Sequence, residues 1–176
     1  QLCVLDPPFE EKPEAWSKFI SDPCIMFGNV KHMLLVPPEL FRWERVILKK
    51  YRHRNMGTQV DQRHAIVAQL GTVKKTPKDG RTFPSVVDQE VDRKHKHAKP
   101  ATLIAEHMVE WTADWDIALD PFAGSGSTII AAEIAGGRCF AMEVLPEFCD
   151  IIIRRWEEHT GGKAVLAPVQ RDTASS

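Results

Sequence analysis

The stretch from Ile117 to Ala135 leaves the chain few ways to fold. Ile117-Ala118-Leu119-Asp120 is an apolar run of strand length, Pro121 to Gly126 is a turn carrying two glycines, and Thr128 to Ala135 is a helix-length run rich in alanine and isoleucine. A strand that passes through a tight turn straight into a helix pairs with strands from elsewhere in the chain, and its helix folds back over the sheet. The same alternation recurs on both sides. Leu2 to Leu5 predicts a strand that stops at Asp6-Pro7-Pro8, because proline donates no ladder hydrogen bond. Glu14 to Ile20 predicts a helix, and Cys24 to Gly28, Glu44 to Leu48 and Ala65 to Leu70 predict three strands, the last ended by Gly71. Between Thr72 and Lys99 the apolar period vanishes, and Pro77, Asp79, Gly80 and Pro84 predict an irregular insert. Leu103, Ile104, His107, Met108 and Trp111 then fall at helical spacing behind Pro100, Arg138 to Glu143 predicts a strand, and Pro146 to His159 a helix. The expected class is α/β, with a mostly parallel, doubly wound sheet covered on both faces.

With 176 residues, 43% hydrophobic and 27% charged, the chain has the material of one domain with a full core. That excludes a disordered tail, a fibre and a small disulfide scaffold. The run from Ile117 to Ala132 is broken by Asp120 and its glycines and serines, so it is not a membrane span, and the N-terminus does not read as a signal peptide. Cys3, Cys24, Cys139 and Cys149 form no Cys-x-x-Cys pair and have apolar neighbours, which predicts reduced thiols in an intracellular core. No metal is expected, since His95 and His97 bring no further ligand with them. The net charge of −1 conceals a partition: Arg42 to Lys99 holds 15 Lys and Arg against 6 Asp and Glu, and the remainder holds 8 against 18. Such a segment suits a polyanion, or is a solvated basic face.

The Gly124-x-Gly126 turn lets the backbone approach a ligand and aims helix N-terminal amides at its polar end, although a simple tight turn has the same appearance. Glu143, twenty-three residues after Asp120 at the end of the next strand, stands where an acidic side chain binds a ribose diol. The combination points to a nucleoside-containing cofactor.

Asp6-Pro7-Pro8-Phe9 ends a different strand, and together with Asp120-Pro121-Phe122-Ala123-Gly124-Ser125-Gly126-Ser127-Thr128 it resembles the catalytic and cofactor loops of S-adenosylmethionine-dependent amino-methyltransferases. His97-Ala98-Lys99-Pro100 is similar to that family's Lys-Pro entry into the helix before the cofactor strand. The order of catalytic loop, basic insert, Lys-Pro helix and cofactor loop resembles the beta group of DNA adenine and cytosine amino-methyltransferases, from Leu2 to about Ala167. The resemblance implies a Rossmann-like sheet with permuted motif order in a single domain. Its catalytic half would be about 1–71, its short basic recognition insert 72–98, its cofactor half 99–167 and its tail 168–176.

The exocyclic amino group of a base is a poor nucleophile, because its lone pair is delocalised into the ring. The resemblance implies that the Asp6 carboxylate and a carbonyl of Pro7 or Pro8 accept its two N–H bonds, while Phe9 stacks on a base flipped from the duplex. It implies a cofactor pocket of Asp120, Phe122, Gly124 and Gly126, with Ser127 or Thr128 near the methionine part and Glu143 on the ribose. Lys99, Thr102 and Phe27 are weaker candidates there, readable also as a surface charge, a helix cap and core. Lys49, Lys50, Arg52, Arg54, Arg63, Lys74, Lys75, Arg93, Lys94 and Lys96 would neutralise phosphates, and Arg52, Arg54, Asn55, Gln59 and Arg63 are able to read base edges.

The expected activity is methyl transfer from S-adenosylmethionine to the 6-amino group of adenine in double-stranded DNA. It would serve protection or marking in the cytoplasm of a bacterial or phage-infected cell. Asp6 favours adenine, the cytosine enzymes more often having serine there; Phe9 departs from the tyrosine more usual in adenine enzymes. A cytosine 4-amino enzyme, an RNA amino-methyltransferase and a non-catalytic nucleic-acid-binding subunit stay open as alternatives. The insert of roughly 25 residues between Gly71 and His97 is short, which favours a short or relaxed target site or one completed by a second copy of the chain. A homodimer and a cognate endonuclease are the further partners that the resemblance admits.

Overall fold

The computed structural model describes residues 1–7, 12–28, 30–50, 63–71, 86–90, 98–111 and 115–168. The strands β1 (Leu2–Leu5), β2 (Cys24–Gly28), β3 (Phe41–Lys50), β4 (Arg63–Leu70), β5 (Val86–Glu90), β6 (Ile117–Asp120) and β7 (Arg138–Ala141) form one sheet in the order β5-β3-β4-β2-β1-β6-β7. The pairs β1–β2, β1–β6, β6–β7 and β3–β5 are parallel. β4 runs against both of its neighbours, β2 and β3. The six other strands therefore point one way, and their C-terminal ends share one edge of the sheet.

Alternation along the central strands decides which residues meet which layer. Leu2, Val4, Ile25, Phe27, Val67 and Ala118 bury one face under Leu103, Ile104, Ala105 and Met108 and under Ala131. The first four of these covering residues belong to α3 (Ala101–Glu106) and the π-helical turn His107–Trp111 that extends it, and Ala131 belongs to α4 (Ser127–Ala135). Cys3, Leu5, Cys24, Met26, Ala68 and Leu70 bury the other face, against Trp16 of α1 (Pro13–Trp16), Met33 of α2 (Val30–Met33) and Val36. Burying a side chain of the size of Leu or Phe contributes about 1.5–3 kcal/mol, so these two clusters supply most of the favourable free energy of folding. α5 (Pro146–Thr160) lies over α4 with no fully buried residue; its Trp156 Nε1 donates to Glu133 Oε1 at 2.8 Å.

The doubly wound, mostly parallel α/β sheet is as expected, with three corrections. The insert is not irregular throughout, because Val86–Glu90 pairs with β3 at the sheet margin. A margin strand is held by backbone hydrogen bonds and needs no apolar run, which is why the sequence Val-Val-Asp-Gln-Glu does not announce it. The helix expected over Glu14 to Ile20 is α1 followed by a 3₁₀ turn at Ser17–Phe19. The two-sided cover also stops short: Leu119 and Phe140, paired across β6 and β7 on the Cys3 side, are 37% and 59% exposed. Only two of the four free cysteines, Cys3 and Cys24, lie in the core, while Cys139 and Cys149 are half-buried. Among the described residues no helix is long and apolar enough to cross a membrane.

Candidate active site

The register of the sheet assembles the site. Because Leu2 and Cys3 pair with Ala118 and Leu119 in parallel, β1 and β6 end on the same edge, with Asp120 level with Val4 and Asp6 two residues further along. More than a hundred residues separate the two in sequence. Pro7, buried, ends the β1 ladder behind Asp6, while Pro8 and Phe9 lie outside the described residues.

Asp6 forms an ion pair with Lys99, whose Nζ donates to its Oδ2. The Lys99 side chain is only 9% exposed and that of Asp6 35%, so the cation sits on the inner side of the pair. Lys99 Nζ also lies 5.6 Å from the centre of the Phe27 ring, a cation–π contact that makes a buried ammonium less costly. The structure thus brings Lys99 and Phe27 together at Asp6; Thr102 stands exposed on the first turn of α3.

His32 of α2 is a site residue that sequence reasoning missed. It is buried, its ring meets Trp16 edge-on at 5.7 Å, and an added Cβ on Gly28 would lie 3.0 Å from its Cβ. Burial lowers its pKa, and the nearby Asp6 carboxylate pulls the other way. α2 is a single turn of four residues, too short to show a helical period, and only its position after the end of β2 could have drawn attention to it.

Asp120 is buried at the end of β6 and accepts hydrogen bonds from the Phe122 backbone N–H at 2.9 Å and from the Thr128 hydroxyl. Burial pushes its carboxyl up to about 6, the two hydrogen bonds pull it down, and the charges of Asp6 and Lys99 act on it with opposite signs. The turn that follows is laced to the strand ends: Ala123 N–H donates to Met142 O and Met142 N–H to Asp120 O, each at 2.9 Å. Gly124 and Gly126 have φ of +51° and +79°, the left-handed region that side chains resist. At Gly126 the fit is double, since a Cβ there would stand 2.9 Å from Ile152 Cγ1 of α5. Among the described residues a Cβ at Gly124 would meet nothing nearer than the Phe122 carbonyl at 4.0 Å, so the turn faces open space among them.

Glu143, two residues beyond β7, closes the loop. Its Oε2 accepts the Gly124 N–H at 2.8 Å, and its Oε1 accepts the N–H groups of Val144 and Leu145 at 2.8 and 3.0 Å. Arg155 of α5, also missed from sequence, donates from Nη1 to the Ser125 carbonyl. The Phe122 ring packs edge-on against Phe19 at 6.0 Å, which ties the turn to the cluster on the Cys3 and Leu5 face of the sheet. Ser127 at the start of α4 has a buried Oγ without a hydrogen-bond partner among the described residues, and Thr128 is buried beside it. Open space over Gly124, an orphaned hydroxyl at a helix N-terminus and a carboxylate at the neighbouring strand end together fit the polar groups of a nucleoside cofactor.

Of the expected DNA-contacting residues, Lys49 and Lys50 end β3, and Arg63 opens β4 opposite Lys49. β3 and β2 run the same way on either side of β4, so these backbones lie on the edge that carries Asp6. Gly28 stands opposite Ile66, and Ile66 opposite Val46, so β3 continues four residues, about 13 Å, beyond the end of β2. Arg52, Arg54, Asn55, Gln59, Lys74, Lys75, Arg93, Lys94, His95, Lys96 and His97 lie outside the described residues.

A mostly parallel sheet with an Asp-Pro loop and a glycine turn on adjacent strand ends has the architecture of the DNA methyltransferases. The crystal structure of the M1.HpyAVI–SAM complex matches over 88% of this chain and 88% of that one, with TM-score 0.66 at 17% identity. The cytosine-N4-specific PvuII DNA methyltransferase matches over 88% and 78%, with TM-score 0.66 at 13% identity. A profile of the DNA methylase family matches residues 38–154, and the chain belongs to that family. The type II methyltransferase M2.MboI of Moraxella bovis is 34% identical over 87 residues, 49% of this chain and 32% of that protein. The chain spans between about a quarter and a third of the length of the curated relatives it matches.

Proposed function

We propose that the chain transfers a methyl group from S-adenosylmethionine to the exocyclic amino group of a base flipped out of DNA, with adenine as the target. The observation that carries this reading is the adjacency of Asp6 and the Asp120–Thr128 turn on neighbouring parallel strand ends. Family membership supports it, and so does the fold shared with the M1.HpyAVI–SAM complex and the cytosine-N4-specific PvuII DNA methyltransferase.

When bound, the cofactor would supply an electrophilic methyl group on a sulfonium, the S–CH3 bond giving way to N–CH3 with S-adenosylhomocysteine as the leaving group and one amino proton lost to solvent. The protein's part is to hold and to orient. Glu143 would take the ribose hydroxyls, Gly124 would let the backbone close on the nucleoside, and Ser127 and Thr128 would meet the methionine end. Asp120 would keep the turn in shape through Phe122 and Thr128. At the other strand end Asp6, with the carbonyl of Pro7 or Pro8, would accept the two amino N–H bonds, drawing the nitrogen toward a tetrahedral shape with its lone pair free. Phe9 would stack on the base. The basic residues from Lys49 to Lys96 would meet phosphates beside this edge. Domain boundaries at about 71, 98 and 167 follow from the same reading.

Adenine is favoured by Asp6, whereas the fold shared with a cytosine-N4-specific enzyme favours the 4-amino group of cytosine as the second reading. Incubation with labelled S-adenosylmethionine and unmethylated duplex DNA, followed by nucleoside analysis, decides between them. Labelled 6-methyladenine is the expected product and 4-methylcytosine supports the second reading. Incorporation into structured RNA instead of DNA, or into neither, overturns both.

A further inference from the structure

Lys99 has its ammonium bonded to Asp6 Oδ2 and its side chain covered to all but 9%, which is not the setting of a free surface charge. We propose that Lys99 is the positioning residue of the acceptor carboxylate, holding Oδ2 of Asp6 so that Oδ1 is left to receive the amino group of the target base. This rests on the reading of Asp6 as the acceptor.

Three observations carry it. The exposure is unequal across the pair, with the cation inside and a third of the carboxylate side chain open, so the free side of Asp6 is the outer one. The Phe27 face under the ammonium, at 5.6 Å, fixes the cation from a second direction and makes Lys99 a rigid anchor. Lys99 and Asp6 also act with opposite sign on Asp120, so one cation serves the carboxylates of two adjacent strand ends, which would otherwise repel each other. Lys99 stands immediately before Pro100 at the start of α3, and the sheet packing of α3 therefore sets where the ammonium sits. A carboxylate that turned freely about its Cβ–Cγ bond would offer the amino group a correct geometry only part of the time. Locking one oxygen removes that loss at the moment of transfer.

The test uses the whole chain with Lys99→Met, Lys99→Gln and Lys99→Arg, measuring kcat for methyl transfer to duplex DNA and, separately, the Kd for S-adenosylmethionine. Lys99→Met is expected to lower kcat by about 10- to 100-fold while the cofactor Kd stays within about threefold. Lys99→Arg, which can still donate to Oδ2, should recover most of kcat, and Lys99→Gln, a donor without charge, should fall between them. If Lys99→Met does not fold, the Gln and Arg variants retain this ranking. A kcat within twofold of wild type for Lys99→Gln overturns the proposal. So does a rise in cofactor Kd that accounts for the whole loss, since Lys99 would then belong to the cofactor pocket. Absence of transfer by the wild-type chain would instead strike at the reading of Asp6 itself.

Discussion

Two carboxylates on adjacent strand ends have different surroundings, and the difference separates their roles. Asp6 keeps a third of its side chain open to solvent, whereas Asp120 is buried and committed to Phe122 and Thr128. Asp6→Ala should therefore abolish methyl transfer and leave cofactor binding within a few-fold; comparable loss of both, by rate assay and titration, would make Asp6 structural. Asp120 carries a stability prediction with a definite sign. Its carboxyl is raised from 3.8 to about 6, so between these values the folded chain holds a proton that the unfolded chain has released, and stability falls as pH rises through that window. Asp120→Asn keeps an acceptor for Phe122 and removes the titration. The variant should gain on the wild type from pH 4 to 6 by on the order of 2–3 kcal/mol and hold that margin above pH 6. His32, with a lowered pKa, contributes in the opposite direction below its ordinary 6.5, but it is common to both proteins and cancels in their difference. Denaturant unfolding at several pH values checks the sign.

The turn into α4 and the helix α5 behave as one device. Ile152 fills the space under Gly126 and Arg155, three residues on and hence on the same face of α5, holds the Ser125 carbonyl. Gly126→Ala should accordingly cost about 2–4 kcal/mol, adding overpacking against Ile152 to left-handed strain, and should weaken cofactor binding. Gly136, at the other end of α4, has φ +76° but, among the described residues, nothing within 4 Å of a Cβ. Gly136→Ala should cost only the backbone strain, about 1–2 kcal/mol, and leave cofactor binding unchanged. Equal costs in thermal unfolding would show that α5 does not press on the turn.

At the scale of the whole molecule the charge partition is the governing feature. The segment from Arg42 to Lys99 carries a net charge of +9 and the remainder −10, and the ends of β3 and β4 deliver part of that segment to the edge that bears Asp6. Affinity for duplex DNA should therefore fall at least about 100-fold between 50 and 200 mM salt through counterion release, while affinity for the cofactor changes less than about threefold. Salt-insensitive DNA binding would remove the basic segment from the interface.

The local pattern was enough to place seven of the elements close to their final bounds, from Leu2–Leu5 to α5, and to single out both strand-end loops. Strand runs, prolines, glycines and helical spacing all act within a few residues. What the pattern left out were α2 and the strand Val86–Glu90. One is too short for a period, and the other is held by backbone pairing to a distant strand. The partners of the site were equally out of reach: that Lys99 meets Asp6 and that Arg155 holds Ser125 depends on the register between strands and on which helix face meets the sheet. Sequence by itself determined the alternation, the two loops and the family resemblance, because these are properties of neighbouring residues. Only the tertiary structure decided which charges touch, because those contacts join residues that the chain separates by 30 to 93 positions.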